Sequence, residues 1–195
     1  MTRLTKTVIF ALFFSAGALF VSSCSDDDDS TPTPSLYTRL GGTTMVSDPN
    51  NPGQMIEQGR LSYRSVVDST ITLIVTDIVL DEPGNLGAHF APIVGEVLGG
   101  DATNVAVLSD NLTDFFSANT GGGATNTYNG LDMVSAHDPA INGRMGVKSN
   151  NANYDKFIEY VGAAAGLNGV TDTAIINDVV AVLESLRDPI VQDPN

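Results

Sequence analysis

Residues 128–137 read YNGLDMVSAH and end on one of only two histidines in a chain of 195 residues. His137 is either a ligand or an ordinary hydrogen-bonded residue near the end of a short helix, and the rest of the sequence has to decide which. Zinc-type sites need several Cys or His at close spacing. One cysteine and two histidines 48 positions apart exclude that class. Asp132 and Asp138 flank His137, but no nucleophile stands beside them at a hydrolytic spacing, so they read as surface carboxylates of an acidic protein. The glycine triplet 121–123 lacks the Lys-Ser/Thr that completes a phosphate loop. It reads instead as a helix end followed by a sharp turn. What one neutral imidazole in an apolar helical chain can do is hold haem iron from one side. Residue type alone leaves that option beside a solvent-facing or hydrogen-bonded histidine.

Outward from this stretch, apolar residues recur at helical spacing in four stripes. Leu61, Val66, Val67, Ile71, Ile74, Val75 and Ile78 form the first; its β-branched content tolerates a strand, but its length argues for helix. Val105, Leu108, Leu112, Phe115 and Phe116 form the second, and Tyr154, Phe157, Ile158 and Val161 the third. The fourth runs Ile175, Val179, Val182, Leu183 and Leu186, with Thr171 or Thr173 as its cap and Pro189 beyond its end. Turn markers separate them at 48–53, Gly99-Gly100, 121–123 and Asn142-Gly143. There is no internal repeat. The expected class is all-α, with helices around one core.

The N-terminus is of a different kind. Arg3 and Lys6 precede the apolar run TVIFALFFSAGALFV and then Ser22-Ser23-Cys24, the pattern of an export signal. The run falls short of the ~20 residues a membrane span requires. Val21-Ser22-Ser23-Cys24 resembles the lipobox of bacterial lipoproteins, which implies that Cys24 carries the lipid; the alternative is a free cysteine in an uncleaved leader. Residues 24–34, with Asp26–Asp29 and two prolines, read as a tether. An acidic run directly after such a cysteine resembles the surface-export signal of Bacteroidota lipoproteins, although composition equally fits a solvated spacer. The expected location is therefore the bacterial envelope, at the outer membrane or cell surface. Without residues 1–23 the chain has seven Lys and Arg against 23 Asp and Glu, a net charge of −16. Such a surface repels nucleic acid. Residues 35–195 are long enough for one domain with a real core.

Several ordered pieces share one resemblance. Ser35-Leu36-Tyr37-Thr38-Arg39-Leu40-Gly41-Gly42 resembles the opening SLYxRLGG of truncated haemoglobins. Val66-Val67-Asp68, Leu86…Phe90, and Phe115-Phe116 ahead of the glycine triplet follow in that family's order. Tyr128-x-Gly130-x-x-Met133-x-x-Ala136-His137 is similar to the stretch that carries its proximal histidine. Tyr154-Asp155-x-Phe157 and Leu186-Arg187-x-x-Ile190-Val191 fit its two closing helices. The resemblance, to the group 1-like bacterial members, implies a two-on-two helix sandwich binding haem b. It makes His137 the proximal iron ligand, Phe90 a ring packed on the porphyrin, and Phe115, Phe116 and Met133 apolar lining, with Tyr128 shaping the proximal loop.

Departures from the family matter as much. Thr70-Ile71 stands where a Phe-Tyr pair is usual, and Leu112 where a distal glutamine is usual. Ile71 and Leu112 then make the distal side apolar, which stabilises bound dioxygen less. His89 is a candidate distal donor or sixth ligand, against the plainer reading of a surface histidine on a loop. Insertions of about 16 residues after Gly42, about ten after Phe90 and about five between His137 and Val147 are implied by the same comparison. The leading expectation is a haem protein, more a gas binder (O2, NO or CO) or electron carrier than an enzyme. A globin-fold surface module without haem and a haem carrier are the competitors.

Overall fold

The computed structural model describes residues 32–193; the leader, Cys24 and most of the tether lie outside the described residues. The order is α1 (Leu36–Arg39), β1 (Met45–Ser47), β2 (Met55–Glu57), α2 (Gln58–Val79), α3 (Gly87–Leu98), α4 (Thr103–Ser117), α5 (Met133–Ala136), α6 (Asn151–Leu167), α7 (Thr173–Ser185) and α8 (Arg187–Ile190). The chain is thus mostly helical, with one short antiparallel hairpin that the all-α expectation did not contain.

α2 is the longest helix and packs chiefly on α4 and α6. Its buried positions Tyr63, Val67, Thr70 and Ile74 recur every three or four residues, as a helix burying one face requires. Its many β-branched residues lower helix propensity, and the tertiary packing overrides that. Thr70, Thr72 and Thr76 each turn their hydroxyl onto the carbonyl four residues earlier, at 2.7–2.8 Å, satisfying it within the helix by sharing an acceptor with the backbone N–H. On α4, the fully buried Thr113 and Ser117 lie one turn apart. Small side chains there let the helix approach its neighbours closely.

Two apolar clusters make the core. Leu36, Tyr37, Tyr63, Phe116 and Leu183 form one, Ile74, Leu86 and Tyr160 the other, and Phe157 packs against both. The stretch after Gly42 forms the β1–β2 hairpin, paired Met45 to Glu57 through Ser47 to Met55. Its turn is pinned to α2 by the buried carboxylate of Asp48, which accepts from Arg64 at 2.6 and 3.1 Å and from Asn50 and Asn51. The stretch after Phe90, expected as a loop, is the body of α3. Ser35 caps α1, and Asp172, rather than either flanking threonine, caps α7 by accepting from the N–H groups of Ala174 and Ile175. An aspartate reaches two free N–H groups at once and suits the positive helix end.

A widened turn at Ala118–Gly122 ends α4, with Gly121 at φ 115°, a left-handed conformation that favours glycine. Asn126, just beyond, donates to Glu57 at 2.9 Å and to the Tyr37 hydroxyl at 3.0 Å, and Tyr37 donates to Glu57. This polar knot ties α1, the hairpin and the glycine turn together. No helix of the described residues is long and apolar enough to cross a membrane.

Candidate functional site

α5 is a single turn held at both ends. Asp132 accepts from the backbone N–H of Ser135 at 3.0 Å and opens it; His137 closes it, its Nδ1 2.8 Å from the carbonyl oxygen of Met133. A carbonyl can only accept, so Nδ1 carries the proton and the neutral ring keeps its lone pair on Nε2. Burial pushes the His137 imidazole below its ordinary range, and the nearby His89 adds to this while the bond to Met133 opposes it. The ring is therefore neutral at pH 7, the state in which imidazole binds metal.

The structure places His137 in the wall of an apolar cavity between α3, α4, α6 and the 128–149 segment. The cavity encloses about 150 Å³ and opens to solvent on one side. Phe90, Leu112, Phe115, Phe116, Tyr128, Met133, His137 and His89, eight of the nine site residues singled out from sequence, line this one cavity. Phe115 meets Phe116 and Tyr128 edge-on, at 5.6 and 5.3 Å between centroids, and the Tyr128 hydroxyl donates to the Leu131 carbonyl at 2.6 Å.

Ile71 is the exception. It lies one residue off the buried stripe of α2, about 100° round the helix, is half-buried, and faces neither the cavity nor either apolar cluster. No α2 side chain reaches the cavity with the histidines; α2 instead lines a second, almost wholly apolar cavity with Tyr63, Val66, Val67 and Thr70.

His89 corrects the reading of a loop histidine. It sits within α3, 4% exposed, and lines the same cavity as His137. Its Nδ1 lies 3.1 Å from the Val147 carbonyl and donates to it, leaving Nε2 without a hydrogen-bond partner among the described residues. α3 left no helical stripe in the sequence, and it contains Pro92, a residue that helix interiors ordinarily avoid. Pro92 has no N–H to give to the carbonyl of Ala88, and that open edge of the helix is where the 142–147 loop docks. The Gly146 N–H donates to the His89 carbonyl at 2.7 Å, and a Cβ on Gly146 would stand 2.1 Å from the Ala88 oxygen. The same loop is fixed to the other histidine's turn, because the Asn142 amide donates to the Ala136 carbonyl at 2.7 Å. The 142–147 loop is therefore what braces both imidazole segments.

Two imidazoles with Nδ1 committed to backbone carbonyls, in a wall that is mostly aromatic and aliphatic but includes Asn111, Asn142, Ser149 and Asn153, are a donor set suited to haem. The wall also holds Arg144 and no carboxylate at all, although the protein is strongly acidic. Arg144 carried no signal in the sequence; only the count of cations against acids could have drawn attention to it. No protein-family model matches the chain, and no curated protein matches it.

Proposed function

We propose that residues 35–195 are a haem-binding domain of the truncated-haemoglobin type, a two-on-two helical sandwich in which His137 is the axial ligand of haem b. The lipid on Cys24 tethers it to the bacterial envelope. The observation that supports this most directly is that one apolar, carboxylate-free cavity gathers His137, its Nε2 uncommitted, with Phe90, Phe115, Phe116, Tyr128 and Met133. When bound, haem iron offers a position for a diatomic gas (O2, NO or CO) or for one-electron exchange. The chain's own contribution is orientation and exclusion of water. The Met133 carbonyl fixes the tautomer and direction of His137, the three phenylalanines supply a dry wall, and Leu112 offers a bound gas no hydrogen bond.

A second reading of the same site is favoured by His89. Its buried imidazole lines the cavity with Nε2 uncommitted, so it could hold the iron together with His137. Were both histidines to hold it, the group would supply electron exchange rather than gas binding. Titration of the purified domain with haemin tests the main reading: the wild type gives a Soret band at 1:1 stoichiometry, and His137→Ala abolishes or shifts it. No Soret band in wild type would overturn the proposal and leave a haem-free surface module. The ferrous spectrum with and without CO separates the two readings, since His89→Ala speeds CO binding only if His89 occupies the sixth position.

A further inference from the structure

The described residues contain seven lysines and arginines, and six of them are ion-paired: Arg39 to Asp178, Arg60 to Asp114, Arg64 to Asp48, Lys148 to Asp138, Lys156 to Glu159, and Arg187 to Asp155 and Glu184. Arg144 is the one that pairs with no carboxylate among the described residues. In a chain where acids outnumber bases more than twofold, that is the reverse of what chance pairing would give. Its Nε makes only a long contact, 3.4 Å, to the Asn142 side-chain oxygen, and its two terminal nitrogens meet no acceptor among the described residues. It is half-buried, lines the histidine cavity, and acts electrostatically on Tyr128 across it. The same cavity carries no Asp or Glu. A guanidinium kept apart from a surplus of protein carboxylates, with both fork nitrogens free, is arranged for a carboxylate from outside the chain.

We infer that Arg144 receives a carboxylate of the ligand, an inference that rests on the haem reading and identifies that carboxylate as a haem propionate. Arg144 belongs to the 142–147 loop, which thus supplies an anion contact as well as bracing both histidines.

Haemin and its dimethyl ester, which has the same iron and ring but no carboxylates, separate the alternatives. Wild type is expected to bind haemin about tenfold more tightly than the ester, the range of a half-exposed charge-assisted pair. This preference shrinks as salt rises. Arg144→Gln brings the ratio close to one by weakening haemin while leaving the ester unchanged, and Arg144→Lys restores part of it. Unchanged circular dichroism and melting temperature show that the variant is folded. Equal affinity of wild type for acid and ester, or a preference that survives Arg144→Gln, overturns the inference and leaves the haem reading standing. Binding of neither compound by wild type overturns both.

Discussion

Replacing Gly146 by alanine tests whether the 142–147 loop holds the site together. The added Cβ would lie 2.1 Å from the Ala88 carbonyl oxygen, a backbone atom that no rotamer change can move aside. Ordinary contact needs roughly 3.5 Å, so loop and helix must separate by more than an ångström. That displacement breaks the 2.7 Å bond from the Gly146 N–H to the His89 carbonyl and strains the one between His89 Nδ1 and Val147. Overpacking costs ~1–3 kcal/mol and the lost backbone bond ~0.5–1.5 kcal/mol. The stiffer unfolded chain returns ~0.4–1 kcal/mol. The net is a loss of about 2 kcal/mol, or roughly 4–8 °C in melting temperature for a domain of this size. Gly143→Ala in the same loop is the control: nothing lies within 4 Å of its Cβ and its φ is not left-handed, so it stays within about 0.5 kcal/mol of wild type. Urea unfolding followed by circular dichroism measures both. If Gly146→Ala unfolds at the same midpoint as Gly143→Ala, the loop is not clamped to α3 and the account of how His89 is placed is wrong.

Two further substitutions address the frame around the site. Arg64, Asn51 and Asn50 hold the Asp48 carboxyl well below the usual carboxylate range. Its contribution to stability is therefore complete above about pH 4 and disappears as pH falls toward the depressed value. The destabilisation caused by Asp48→Asn should accordingly be constant between pH 5 and 7 and shrink at pH 3; a difference independent of pH down to 3 would contradict the pairing. The Thr113 hydroxyl is buried without a hydrogen-bond partner among the described residues. Thr113→Val removes an unsatisfied polar group at nearly constant shape and is expected to raise stability by about 1 kcal/mol in the same urea assay; a loss of that size would show that the hydroxyl is satisfied in solution.

The four long helices were legible because each buries one face, and burial at a fixed turn angle leaves a periodic trace. α3 was not. Gly87, Pro92 and Gly95 lower its propensity, and it forms because Leu86 and Phe90 pack with Ile78 and Phe157 and because Ile93 and Val94 are buried. The hairpin was hidden for a related reason. Three-residue strands are too short to show alternation, and what fixes them is Asp48 reaching Arg64 on a helix. The site divides along the same line. His137 stands out because its local spacing to Tyr128 and Met133 is built into one turn and its approach. His89 and Arg144 belong to it only through the docking of 142–147 on α3, a contact between segments about 55 residues apart that no local pattern encodes. Ile71 shows the converse error, because a residue singled out by resemblance lies on α2 and yet does not line the cavity.

The knot formed by Tyr37, Glu57 and Asn126 has a mechanical meaning. A pull on the N-terminus, as the proposed lipid tether would exert, enters the domain at Ser35 and reaches a helix of only four residues. Such a helix alone would peel off under small forces. Tyr37 instead passes the load through Glu57 into the hairpin, through Asn126 into the glycine turn, and through its ring, 6.4 Å from that of Tyr63, into α2. Strain is thereby spread over three anchorages before it can reach α5, so the histidine turn is insulated from motions of the membrane to which the chain would be fastened.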